Sequence, residues 1–270
     1  MRAALLVLAV FASGSALAQA QSYSPQPAPA TTSIPALRAQ AAMRVIIERF
    51  HRGLEALGQS RWNDARAEFH AVLDLHPPEP QGSTAAYDEG LADAHLGAYD
   101  DAARAFRAAL ARDPAFLAAM ANLVAVDLRR GDLGEARATA DRFVSIAPDS
   151  ARAHYSRGLA ALAGGDLAIA RDDFAQLLKN DPRYAVAHYD LGITEVRLGH
   201  YVGAASEFTA ALTLSPSYAR ARFALGTVLL HNGDRAGARD AFDRAARDAN
   251  DDPSLRTLAI EMRNAIPSAL

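Results

Sequence analysis

From about Leu37 onward, apolar residues recur three and four positions apart, and no stretch alternates with period two over the length of a strand. Such spacing gathers apolar side chains on one face of a helix, so the chain reads as helical from there on. The pattern also repeats itself. The phrase "AHYSRG" at 153–158 returns as "AHYDLG" at 187–192, 34 residues later. Extended in both directions, that period places units at Ile46, Ser83, Leu117, Ala151, Ala185 and Ala219. The first interval is three residues longer than the others, at "PPEPQG" (77–82). Self-similarity of this kind predicts a stack in which each unit covers the apolar side of its neighbour.

Each unit carries small and large residues at fixed places. Its eighth position is Gly53, Gly90, Gly158, Gly192 and Gly226. Its twentieth is Ala65, Ala102, Ala136, Ala170, Ala204 and Ala238, and its twenty-fourth is Phe69, Phe106, Phe174, Phe208 and Phe242. Small residues at eight and twenty predict two helices crossing at the short end of the usual range of about 8–10 Å. The Phe fills the space beside that crossing. Gly97, Gly131, Gly165, Gly199 and Gly233 fall between the two helices, where a helix end takes positive φ. Asp132, Asp166 and Asp234 follow and are expected to cap the second helix. Pro77, Pro114, Pro148, Pro182 and Pro216 close their units, since proline cannot continue a helix. The third unit departs from the pattern, with Val124 at eight, Ala140 at twenty-four and Phe143 three residues on, which predicts a different crossing there.

This skeleton resembles the tetratricopeptide repeat, a helix–turn–helix of 34 residues. The resemblance covers residues 46–252 and implies an all-α fold, a right-handed superhelical α-solenoid of six units. The repeat domain is expected over 38–252, with a capping helix and tail at 253–270. In "PSLRTLAIEMRNAIP" (253–267), Leu255, Leu258, Met262 and Ile266 are expected to cover the apolar side that the last unit leaves open. "ALRAQAAMRVIIERF" is expected to extend the first helix and do the same at the other end.

The N-terminal segment has a different character. Arg2 precedes an apolar run from Ala3 to Ala12, then small residues, with "ALA" at 16–18 and "AQA" at 18–20. This reads as a secretory leader over 1–20, cleaved near Ala18 or Ala20, and predicts a periplasmic or secreted protein. The run is shorter than the roughly 20 residues a spanning helix needs, so no integral span is expected in the mature chain. Residues 21–37, which include "QSYSPQPAPATTSIP", read as an extended Pro-rich linker.

Composition narrows the chemistry. The formal net charge is −3, which offers no basic excess for nucleic acid. Cysteine is absent, which excludes disulfides, thiolate zinc sites and Cys nucleophiles. None of the eight histidines makes an HExxH or another chelating spacing. His154 and His188 share the fourth position of successive units, where the resemblance implies a packing aromatic. The acidic pairs Asp100-Asp101, Asp172-Asp173 and Asp251-Asp252 point about 100° apart on a helix, so they are not catalytic dyads. No phosphate loop or dinucleotide fingerprint is present, so no catalytic residue, metal or cofactor is expected.

The resemblance further implies that positions two, five, nine, twelve and thirteen of each unit line a concave groove. Position five reads Phe50, Tyr87, Ala121, Tyr155, Tyr189 and Phe223. Position thirteen supplies His95, Arg129, Arg197 and His231. The groove is therefore expected to have an aromatic line, an apolar floor and a partly basic edge, residue types that anchor protein interfaces. The basic clamp of chaperone-binding members is not matched, since position five is aromatic and position nine apolar. The function expected is a non-enzymatic periplasmic scaffold that binds a protein or peptide segment, as a monomer or small oligomer. Its setting would be cell-envelope assembly, secretion, pilus or polysaccharide machinery. The alternatives are a self-assembling structural protein and an accessory subunit of a secreted enzyme complex.

Overall fold

A computed structural model describes residues 33–267. The expected leader, residues 21–32 of the expected linker, and the last three residues lie outside the described residues. Among the described residues are thirteen helices and no strand. Helices α1 (Ile34–Gly58) and α2 (Trp62–Asp74) form the first unit, α3 (Gln81–His95) and α4 (Tyr99–Arg112) the second. Helices α5 (Leu117–Arg130) and α6 (Leu133–Ile146) form the third, α7 (Ala151–Gly164) and α8 (Leu167–Asn180) the fourth. Helices α9 (Ala185–Leu198) and α10 (Tyr201–Leu214) form the fifth, α11 (Ala219–His231) and α12 (Arg235–Asp248) the sixth, and α13 (Pro253–Ala265) ends the series. None of these helices is long and apolar enough to cross a membrane.

The helices belong to two compact bodies that divide between Ile146 and Ala147, after the third unit. In the N-terminal body each of α1 to α6 packs on the next, and in the C-terminal body each of α7 to α13 does the same. The first helix begins at Ile34, so residues 34–37 are helical rather than the end of an extended linker. Pro35 permits this, because the first turn of a helix has no use for its missing N–H.

One contact recurs inside the units. A Cβ added at Gly53, Gly90, Gly158, Gly192 or Gly226 would lie between 2.5 and 2.9 Å from the ring of Phe69, Phe106, Phe174, Phe208 or Phe242, respectively. Each of these rings is fully buried. The ring occupies the notch that the missing side chain leaves, which holds the two helices of a unit together. The third unit reverses the sizes. Val124 stands where the glycine was and Ala140 where the ring was, both buried, and Phe143 fills the remaining space. The same volume is filled by a different division of atoms.

The turns follow the same economy of position. The glycine between the two helices takes φ between +76° and +90° in units two to six. The first unit has Ser60 at that place, held at φ +56°, where a Cβ is disfavoured. Asp234 caps α12 by accepting from Gly237 N at 2.9 Å. Asp166 makes no side-chain cap bond to α8, and Asp132 faces Arg130 at 2.8 Å. On the capping helix the buried face is Leu255, Ala259, Met262 and Ile266. Leu258, expected on that face, is 44% exposed. Ala259 replaces it, because a small residue lets α13 settle against Ala245 and Ala246 of α12.

Polar struts tie neighbouring helices. Asp127, fully buried, accepts from Arg107 at 3.0 Å and from Arg130 at 2.9 Å. Asp173 accepts two bonds from Arg157, at 2.7 and 2.8 Å, and faces His154 Nδ1 at 2.7 Å. Buried charges of this kind are tolerated because each is paired and hydrogen-bonded. Asp88 of α3 is different. It is buried, its Oδ2 meets no hydrogen-bond partner among the described residues, and burial alone pushes its carboxyl up to about 8.

Two outcomes follow from this packing. Gly192→Ala should cost about 1–3 kcal/mol through overpacking against Phe208. Gly58→Ala, whose Cβ would meet nothing within 4 Å, should instead gain roughly 0.5–1 kcal/mol in helix propensity. Urea midpoints of the two variants measure this; equal effects would mean that the notch is not a steric lock. For Asp88 the folded pKa is raised above the ordinary 3.8, so the folded protein keeps a proton that the unfolded chain releases. Stability from this group is fully present below the ordinary value and declines by about 1.4 kcal/mol per pH unit up to the folded pKa. Asp88→Asn removes that slope, so its urea midpoint should rise relative to the parent between about pH 5 and pH 8. Parallel curves across that range would show that Asp88 folds ionised.

Candidate partner-binding site

The first helix of each unit was expected to present its fifth residue to a partner. In the N-terminal body those residues are core. Phe50 is buried edge-on against Phe69, with centroids 5.5 Å apart. Tyr87 is fully buried between Phe106 and Phe116, at 5.7 and 4.8 Å, and its hydroxyl accepts from Asn122 Nδ2 at 3.1 Å. Neither ring is open to a partner. The aromatic that precedes α5, Phe116, touches Tyr87 at 4.8 Å, as Phe106 does at 5.7 Å.

In the C-terminal body the corresponding residues stay half-buried. Helices α7, α9 and α11 lie side by side there. Tyr155 packs at 6.0 Å on Phe174 and edge-on at 5.4 Å to Tyr184. Tyr189 packs at 5.9 Å on Phe208 and at 5.2 Å to Tyr218. Phe223 lies at 5.2 Å from Phe242. Tyr184 and Tyr218 each occupy the residue just before the next unit's first helix, so each unit delivers its last ring beside its fifth.

A carboxylate stands among these tyrosines. The Tyr155 hydroxyl donates to Asp190 Oδ2 at 2.9 Å. Burial pushes the Asp190 carboxyl up to about 7, against the opposing pull of that hydrogen bond. The phenols of Tyr155, Tyr184, Tyr189 and Tyr218 are all raised, first by burial and then by the charge of Asp190. Arg152 opposes that effect at Tyr184, and Arg220 opposes it at Tyr189 and Tyr218. Arg220 itself pairs with Asp252 at 3.3 Å. Asp190, Tyr184 and Tyr218 were not singled out by sequence reasoning. The available signal was a recurrence: the sixth position is Asp88, Asn122 and Asp190 in three units, polar residues set directly after the groove position.

Three residues of the expected basic edge, His95, Arg197 and His231, are exposed, and each also touches the preceding unit. His95 stacks flat on Trp62, with centroids 3.8 Å apart and planes 2° apart, and burial lowers its pKa. His231 stacks on Tyr201 at 3.7 Å. Arg197 donates to the Leu162 carbonyl one unit back. Arg129 is half-buried, and its Nε meets no hydrogen-bond partner among the described residues. His154 and His188 do pack between helices, and they do so as polar struts. His154 bridges Asp173 at 2.7 Å and the Pro148 carbonyl at 2.8 Å. His188 bridges Glu207 at 2.7 Å and the Pro182 carbonyl at 3.1 Å. Arg222 takes the same place in the sixth unit, donating to Asp248 at 2.7 Å and to the Pro216 carbonyl.

A second concavity, of about 570 Å³, lies in the N-terminal body among α2, α3 and α4. Arg66, His70, Glu89, Asp93, Asp101 and Arg104 line it. Its polar groups face one another: His70 meets Glu89 at 2.9 Å, which raises the imidazole pKa, and Arg104 meets Asp101. No side chain there is arranged as a nucleophile beside a base.

Known proteins share this architecture. Tetratricopeptide repeat models match residues 50–115 and 189–253, residues 94–160, and residues 152–184. A thermophilic TPR protein of Thermus thermophilus, TTC0263, is 24% identical, with 67% of this chain and 98% of that one aligned at a TM-score of 0.58. MamA of Desulfovibrio magneticus RS-1, residues 41 to the end, is 25% identical, with 64% and 97% aligned at 0.58. YrrB, described as a TPR protein with an unusual peptide-binding site, is 16% identical, with 66% and 92% aligned at 0.52. No curated protein matches the chain. With repeat models matched across most of residues 50–253 and six helix pairs built on one spacing, the chain belongs to the tetratricopeptide repeat family.

Proposed function

We propose that the protein is a non-enzymatic scaffold that holds a segment of a partner protein on the face formed by α7, α9 and α11. The observation that carries this reading is the contrast within one repeat pattern. The fifth-position rings are sealed at Phe50 and Tyr87 but remain half-buried at Tyr155, Tyr189 and Phe223. Partly exposed tyrosines offer a large rigid surface with a polar tip, and aromatic residues of this type dominate interface energetics. The same fold carries a peptide-binding site in YrrB, which supports the reading.

The face is tested by removing rings without opening the core. Tyr184 and Tyr218 sit at the helix starts of α9 and α11. Serine is a favoured residue at that place, so Tyr184→Ser with Tyr218→Ser deletes two rings while supplying two helix caps. Capture of partners from membrane extracts should fall by about tenfold or more, the size of loss expected for truncated interface aromatics, with helicity by circular dichroism unchanged. Retention of every partner by the folded variant would refute this face.

We further propose that the scaffold works outside the cytoplasm, in cell-envelope assembly, secretion, pilus or polysaccharide machinery. The support is the leader pattern of residues 1–20. N-terminal sequencing of the protein from a periplasmic fraction should return a chain that starts at Gln19 or Gln21. An intact Met1 end on cytoplasmic protein would overturn the placement.

A further inference from the structure

The buried acids of this protein are balanced by cations with few exceptions. Asp127 has Arg107 and Arg130, and Asp173 has Arg157 and His154. Asp88 has no cation, but it is sealed in the interior, where burial keeps it protonated. Asp190 differs from both: no basic group is among the influences on its carboxyl, and the residue is partly rather than fully buried. What acts on it is burial and the Tyr155 hydroxyl. Its surroundings are aromatic: Tyr155 with Tyr184 at 5.4 Å, and Tyr189 with Tyr218 at 5.2 Å.

An ionised carboxylate in such a place is costly unless a cation meets it. Tyrosine rings present negative π-faces, which attract an ammonium or guanidinium and do so more strongly when water is excluded. Arg152 lowers the Tyr184 phenol and Arg220 those of Tyr189 and Tyr218, and Arg220 also pairs with Asp252. The charge and the aromatic lining therefore ask for a cation from outside the chain. A lysine fits better than an arginine. Its ammonium is a compact charge that satisfies one carboxylate oxygen, and its slender stem passes between rings.

We propose that the Asp190 carboxylate, surrounded by Tyr155, Tyr184, Tyr189 and Tyr218, receives a lysine side chain of the partner segment. This rests on the scaffold reading above and specifies the chemistry of its central contact. The bonds involved are an ammonium–carboxylate ion pair and cation–π contacts; no covalent step is required.

The test uses the full chain and three blocked peptides that differ at one central residue: lysine, norleucine or glutamate. Binding is followed by tyrosine-region NMR shifts. The lysine peptide should bind at least about fivefold tighter than the norleucine peptide, a modest ratio for one partly desolvated cation–π and charge contact. Asp190→Asn keeps an acceptor for Tyr155 and should erase that ratio. Tyr184→Ser, a loop-end change that leaves Asp190 in place, should reduce it. Equal binding of lysine and norleucine, tighter binding of glutamate, no response to the lysine peptide, or a ratio that survives Asp190→Asn would each overturn the proposal. A partner that is lost by the Tyr184/Tyr218 double variant but kept by Asp190→Asn would leave the binding face standing and refute the lysine contact alone.

Discussion

The structure depends on the contact between the eighth and twenty-fourth positions of its units. A phenylalanine ring lies where a glycine's side chain would be, with less than 3 Å to spare for a Cβ. That closeness fixes the distance and rotation of two helices at once, because a ring pressed on bare backbone has no freedom to slide. The fixed ring is also the platform for the next layer. Phe50, Tyr87, Tyr155, Tyr189 and Phe223 each pack on the Phe of their own unit at 5.2 to 6.0 Å. The proposed binding face therefore stands on the same contact that holds the helix pairs. The third unit shows that the constraint is volume rather than identity, since Val124 and Ala140 fill the notch from the other side.

On that apolar frame the polar residues do a separate job. Histidine or arginine at the fourth position reaches across to an acid on the second helix and back to the carbonyl of the preceding proline. The proline has ended its helix, so its carbonyl is an acceptor without a helical donor. One side chain thereby satisfies a chain end and cross-links two helices. A neutral apolar filler would pack there equally well but would leave the carbonyl to water. The same accounting makes Asp190 conspicuous, since its acceptor capacity is met by a single phenol.

The period, the six helix pairs and the steric lock were legible in the sequence, because each is a pattern of residue size at fixed intervals. The state of the fifth-position tyrosines was not. Tyr87 and Tyr155 share residue type, position and the Phe beneath them, yet one is sealed and the other half-open. What separates them lies elsewhere in the repeat, at the sixth position of the following unit and at the ring before it. Asn122 and Phe116 close one, and Asp190 and Tyr184 frame the other. The capping helix shows the same limit. Helical spacing admits both Leu258 and Ala259 near the buried face, and only the small space above Ala245 and Ala246 selects the alanine. Nor does the pattern within one unit disclose what the exposed histidines and Arg197 of the expected basic edge rest on. Their partners, Trp62, Tyr201 and the Leu162 carbonyl, belong to the preceding unit.

A repeat offers the same address many times, and most copies must serve the stack. Mutation at one address is therefore free to acquire a new chemistry only where its neighbours do not need it for packing. The sixth position illustrates this. Asn122 can neither ionise nor attract a cation, and its amide simply donates to the tyrosine below. Replacing an amide by a carboxylate at Asp190 keeps one hydrogen bond, with the donor now supplied by Tyr155. It also adds an ionisable group whose pKa burial pushes up to about 7 against the pull of the Tyr155 hydroxyl. The packing role is preserved by an almost isosteric exchange, while the electrostatics change entirely. Function in such a scaffold is written in the exceptions to the repeat, and here the exception sits on the face whose tyrosines remain open.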